Sequence, residues 1–280
     1  QFLSDNLHSQ IIELLNENGD DSPPIFEVAI IIKSLIKGEI SLDFFPALIS
    51  LLPTLNFFLN SEDYKVIRKS IQSLRHLSIQ FPQSNESIKN SGCIENLFQI
   101  LYRPHQAKGI FKSSLYLLAV YCHGRIEVCQ EILNPDFLNL IFTFFQNEKS
   151  DTKFIENALR DIRHIIDTDP SLLVNVSNSQ LIDYIIENSK IGENNVCIQC
   201  CIILSKIFTS SLVEIIDRVL ELDGLECLQY LLISEISFSN VIFGLDSIIN
   251  IFEIGMKENA GWVQKLADQD WLSESIEDII

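Results

Sequence analysis

One apolar string returns along this chain at nearly constant spacing, and that recurrence decides most of what the chain can fold into. Phe45-Pro-Ala-Leu-Ile-Ser-Leu-Leu shares its apolar skeleton with Ile94-Glu-Asn-Leu-Phe-Gln-Ile-Leu and with Leu138-Asn-Leu-Ile-Phe-Thr-Phe-Phe. Weaker copies begin at Leu181 and Leu225, and a last one lies near Leu272. Successive starts are 49, 44, 43, 44 and 47 residues apart. A repeat of two or three helices takes up about 40–47 residues. One such unit cannot bury its apolar faces alone, so neighbouring units must stack.

Between the copies the apolar period is helical. Ile67, Ile71, Leu74 and Leu77 are spaced four, three and three, which puts them on one helix face. Breaks such as 60–63, 147–152 and 167–170 are short and polar, and several place Ser, Asp or Asn where an N-cap acceptor is needed. The chain has only 10 Gly and 8 Pro, too little turn chemistry for a sandwich or barrel. Each unit reads as a long helix (64–80 is one), a short apolar segment, then the recurring string. Three unequal helices per unit is the armadillo form. The expectation is an all-α, armadillo-like right-handed superhelix, an α-solenoid of about six repeats filling 1–280 as one elongated domain.

The charge balance points toward protein partners. Acids outnumber bases 38 to 20, a net −18, which disfavours nucleic acid and anionic membrane surfaces and favours a basic partner. The densest basic cluster is Lys65, Arg68, Lys69 and Arg75, interleaved with apolar core positions, a weak nucleic-acid footprint. The uncharged run 44–61 contains Pro46, Pro53, Asn56 and Asn60, and reads as two buried helical pieces, with no role for a membrane. Seven cysteines without a framework spacing read as buried thiols of a reducing compartment. Cys197-Ile-Gln-Cys200 lacks the second pair a zinc site requires. The five histidines offer no metal-ligand spacing, and neither phosphate-loop motif occurs. No cofactor, metal site or catalytic constellation is expected, and the chain reads as a non-enzyme.

The last stretch of the chain, from Leu222 on, carries a more specific likeness. Leu222-Asp-Gly-Leu-Glu-Cys-Leu-Gln-Tyr-Leu-Leu, Val241-Ile-Phe-Gly-Leu-Asp-Ser-Ile-Ile-Asn-Ile-Phe-Glu-Ile-Gly and Trp271-Leu-Ser-Glu-Ser-Ile-Glu-Asp-Ile resemble the last repeats of the importin α family. Phe44-Phe-Pro-Ala-Leu-Ile-Ser-Leu-Leu looks like that family's third repeat helix. The resemblance implies an adaptor in nuclear import, at work in cytoplasm and nucleus. Its partners would be Lys/Arg-rich cargo peptides and an importin β-like carrier. In that family, Trp and Asn four residues apart on each long helix line a groove, with acidic residues nearby for cationic heads. The pair falls here on Gln72/His76, Tyr116/Val120, Leu159/Arg163 and, in the next unit, Ile203/Ile207. None is Trp or Asn. Tyr116 keeps an aromatic ring, and Glu156 stands where an acidic pocket residue is expected. Gln72, His76, Tyr116, Val120, Glu156, Leu159 and Arg163 are therefore the candidate groove residues. The alternative is a divergent armadillo scaffold with no import role. It would bind another helix or extended peptide along a more apolar groove that includes Val120 and Leu159.

Overall fold

The computed structural model describes Glu13 and residues 25–38, 41–103, 107–123, 125–147, 151–190, 195–233, 238–258 and 260–272. Among these residues every regular element is helical. Six long helices begin at Ile25, Tyr64, Lys108, Thr152, Asn195 and Phe238, so the repeat is visible as steps of 39, 44, 44, 43 and 43 residues.

Residues 1–123 and 124–280 form two compact units. The first holds α1 (Ile25–Lys37), a 3-10 turn (Leu42–Phe44), α2 (Phe45–Ile49), α3 (Leu52–Leu59), α4 (Tyr64–Gln80), α5 (Ser84–Asn90), α6 (Cys93–Leu101) and α7 (Lys108–Cys122). The long helices α1, α4 and α7 pack side by side, and α3 packs on α6 behind them. The run 44–61 is two helical pieces, bent by 45° where α2 gives way to α3, and Leu48, Leu51, Leu55 and Phe58 are buried. The recurring string at Phe45 is thus split: its start is α2, while α3 is the element that packs as α6 does. Pro46 at the start of α2 and Pro53 at the start of α3 place the break there, because proline is tolerated in a first turn and not beyond it.

The second unit holds α8 (Ile126–Ile132), α9 (Pro135–Asn147), α10 (Thr152–Thr168), a 3-10 turn (Pro170–Leu172), α11 (Leu173–Ser177), α12 (Leu181–Ser189), α13 (Asn195–Phe208), α14 (Val213–Glu221), α15 (Glu226–Ile233), α16 (Phe238–Glu258) and α17 (Ala260–Ala267). Here α10, α13 and α16 stack in one row and α9, α12 and α15 in another. Among the described residues α16 alone is long and apolar enough to cross a bilayer by length and composition; it packs on α13, α15 and α17. The last repeat string, from Leu272, lies almost wholly outside the described residues.

The helix starts follow from the caps. Asp63 accepts a hydrogen bond from the Lys65 N–H at 2.8 Å, and Asp151 accepts from Phe154 N–H at 2.8 Å. Asn134 accepts from Phe137 N–H at 2.9 Å at the head of α9. Each such cap is worth about 1 kcal/mol. Gly92 sits at φ 77° before α6, a left-handed conformation that a side chain would oppose.

Hydrogen bonds between units of the repeat fall in a narrow range of sequence separation, 35 to 45 residues. In the first unit Asn96 donates to Asn56 Oδ1 (2.7 Å, 40 residues apart), and Gln80 donates to the Lys37 carbonyl (3.3 Å, 43 apart). In the second unit Asn175 donates to the Leu133 carbonyl (3.0 Å, 42 apart), and Asn250 donates to the Phe208 carbonyl (2.6 Å, 42 apart). Each bond joins a helix to its counterpart one repeat away.

Candidate functional site

In the first unit the face of the long helices turned away from the core is cationic. On α4 the inward stripe is Val66, Ile67, Ser70, Ile71, Leu74 and Leu77, all buried. What remains at i, i+3 and i+4 spacing is Lys65, Arg68, Lys69, Gln72, Arg75 and His76. On α7 the outward positions are Lys112, Tyr116 and Val120, each four residues from the next. On α1, Lys33 and Lys37 share one stripe. The three helices together carry eight of the chain's 20 Lys and Arg (with Lys108) and a single acid, Glu27.

These side chains lie in register across the helices. The Arg75 guanidinium lies 4.8 Å from the Tyr116 ring centroid, and the Lys65 ammonium 6.0 Å from that of Phe26. A Cβ added at Gly109 would meet the Arg68 guanidinium at 3.6 Å, so Arg68 lies over the start of α7. The cations also act on one another. Burial lowers the pKa of Lys33, and Lys69, Lys37, Arg75 and Arg68 lower it further. Burial lowers that of His76, helped by Arg75, Lys33 and Lys37. Gln72 Oε1 and Arg75 Nε are buried and have no hydrogen-bond partner among the described residues.

The second unit treats the corresponding positions differently. Its α10 and α13 are joined by three polar rungs. Asn195 donates to Glu156 Oε2 at 3.3 Å, Arg163 donates to Gln199 Oε1 at 3.2 Å, and Lys206 pairs with Asp167. Glu156 also receives Lys153 at 2.8 Å and Arg160. Burial alone would push its carboxyl pKa up, but Lys153, Asn195 and Arg160 together hold it below the ordinary value. The carboxylate is occupied from within the chain.

The structure brings Gln72, His76, Tyr116 and Val120 together on α4 and α7; Tyr116 is 38% exposed, and the other three are half-buried. Arg163 is half-buried on α10. Two expectations need correction. Leu159 is 0% exposed and belongs to the core, so it lines no groove. Glu156 is 4% exposed and already paired, so it is no open pocket for an incoming cation. The slip on α10 is one residue: Arg160, beside Leu159, is the one half exposed. The same holds for Ile203 and Ile207, both buried at 0%. Lys33 and Lys37 were missing from the sequence candidates. The signal that could have found them is the repeat itself, since Lys33 and His76 are 43 residues apart.

The remaining chemistry-bearing residues are structural. Trp262 is buried and its Nε1–H donates to Asp217 at 2.8 Å; Trp271 donates to Gln269 at 3.0 Å. All seven cysteines are buried. Cys197 and Cys201 Sγ atoms lie 3.9 Å apart, and burial pushes the Cys200 thiol pKa well up. No group of three metal-ligating side chains occurs among the described residues.

Solved structures with a similar chain path include designed armadillo repeat proteins. A designed armadillo repeat protein matches with a TM-score of 0.69 at 14% identity, over 87% of this chain and 99% of that one. The fold is the armadillo fold. A second designed armadillo repeat protein, solved in complex with peptide (KR)4, matches with a TM-score of 0.68 at 14% identity, over 87% and 98%. An engineered protein from a structural genomics consortium matches with a TM-score of 0.67 at 19% identity, over 86% and 96%. No protein-family model and no curated protein matches the sequence. The likeness extends to the armadillo fold and stops short of importin α membership.

Proposed function

We propose that this armadillo chain is a scaffold that binds an extended peptide segment of a partner protein along the outward face of α1, α4 and α7, and that it has no import-receptor role. The observation that carries this reading is the Arg75–Tyr116 pair: the guanidinium lies 4.8 Å from the centroid of a ring that is 38% exposed, so this face offers a cation and an open aromatic surface to a chain laid across it. Peptide binding by a designed neighbour of the same fold supports the reading. Import of Lys/Arg-rich cargo draws no support from the surface. The first unit's long helices repel such a peptide, and Glu156 is already neutralised by Lys153 and Arg160.

The test is fluorescence anisotropy against a library of labelled ten-residue peptides of varied charge, with wild type and Q72A/Y116A. Saturable binding by wild type, weakened about tenfold or more in the variant (about 1.4 kcal/mol), is the expected result. A folded protein that captures no peptide of any charge rejects the scaffold reading.

A further inference from the structure

Two pairs of long helices, α1 and α4 in the first unit and α10 and α13 in the second, handle their cations in opposite ways. In the second, Lys153, Arg160 and Lys206 each have a carboxylate, and Arg163 has Gln199. In the first, no described carboxylate forms an ion pair with Lys33, Lys37, Arg68, Lys69 or Arg75, although the chain has 38 acids to draw on. Like charges held on adjacent helices destabilise the free protein. Folding alone gives no reason to gather them on one face.

Net charge misleads at this range. Screening limits attraction to about 8–10 Å at ordinary ionic strength. A partner touching α4 therefore meets the local cations, and the remote acids that make the total −18 are largely screened. Three helices side by side at about 8–10 Å spacing put the outer axes about 16–20 Å apart. An extended segment of about six residues spans that at about 3.3–3.6 Å per residue. A long polyanion such as RNA would overrun a patch of that width.

We propose that the outward face of α1, α4 and α7 is a docking site for an extended Asp/Glu-rich protein segment, with its carboxylates on Lys33, Lys69, Arg68 and Arg75. This rests on the scaffold reading above and reverses the cargo charge that the resemblance to importin α implied. The Arg75 guanidinium lies 4.8 Å from the Tyr116 ring centroid, a contact that restrains the cation on this face.

The experiment is anisotropy of the full chain with four labelled probes. These are an Asp/Glu-rich decapeptide, a neutral decapeptide, the peptide (KR)4 and a single-stranded RNA decamer, each at about 50 and about 300 mM salt. The acidic peptide is expected to bind at least about tenfold tighter than the neutral one at low salt, and to weaken by a similar factor at high salt. K33E/K69E, which reverses two surface lysines, should abolish this preference while circular dichroism and the melting temperature show the fold retained. R68E, on the same stripe, gives a second reversal if the double variant misfolds. An acidic peptide that binds no tighter than the neutral one overturns the proposal, as does unchanged binding in both reversals or tighter binding of RNA. Binding of neutral or (KR)4 peptide alone overturns the charge assignment and leaves the scaffold standing. Silence from all peptides rejects both.

Discussion

Arg75 on α4 holds its guanidinium 4.8 Å from the ring centroid of Tyr116 on α7, so the most exposed aromatic side chain of α7 is covered by a cation from the preceding repeat. The contact joins two long helices across 41 residues of sequence and fixes where the positive charge points. Such cation–π contacts are worth about 0.5–1 kcal/mol when exposed and about 2 when desolvated.

A double-mutant cycle measures the contact. R75A and Y116A should each destabilise the protein, and the pair should show a coupling of about 0.5–2 kcal/mol in urea unfolding. Y116F should keep most of it, because the ring face and not the hydroxyl meets the guanidinium. Additive effects would mean that the two side chains are merely adjacent.

His76 reports the basic field directly. Burial first, and then Arg75, Lys33 and Lys37, hold it below the ordinary imidazole value. The unfolded chain therefore takes up this proton more readily than the folded chain. The stability that neutral His76 contributes is complete above about pH 6.5 and is lost as pH falls through the folded pKa. A proton NMR titration should place the His76 midpoint below about 6.5 and show it rising in K33E/K69E. A midpoint at or above that value would contradict the charge arrangement.

Adjacent residues on α10 separate core from surface. L159A should cost about 2–5 kcal/mol, as truncation of a fully buried leucine does. R160A should cost less than about 1 kcal/mol, because its partly exposed guanidinium gains little from its ion pair. Chemical denaturation of the two variants distinguishes them; similar losses would mean that Leu159 faces solvent.

The thiols should be inert while the protein is folded. Burial pushes Cys93 up to about 11, against a smaller opposing hydrogen bond from Ser91. The same cause raises Cys200. Thiolate is the reactive form, so Ellman's reagent at pH 8 should titrate none of the seven cysteines until denaturant is added. Rapid reaction of any thiol in native buffer would place it in contact with solvent.

The parts of this structure that can be read from the sequence are those set by local chemistry or by the repeat. Asp63, Asn134 and Asp151 cap helices where their position before an apolar run suggests they should. The recurring strings fall on α6, α9, α12 and α15, since the same packing demand recurs in every unit. Phe45 misleads because Pro46 and Pro53 divide its run into two helices. Leu159 and Glu156 mislead for a geometric reason. One residue is about 100° of helix rotation, so a counting error of one exchanges the surface for the core. The basic face is the least legible feature. Lys33 and Lys37 lie roughly 30 residues or more before the cluster on α4, and like charges carry no pairing pattern that marks them as neighbours.

The separation of about 40 residues shared by the bonds between repeats also orders events in time. At synthesis rates of about 5–20 residues per second, the partner for each such bond emerges about 2–8 s after its mate. Asn56 waits only for Ser91 and Asn96, and the Phe208 carbonyl for Asn250. The chain can therefore consolidate from its N-terminal side while translation continues, one unit behind the ribosome, with a single unsatisfied apolar face exposed at the growing end.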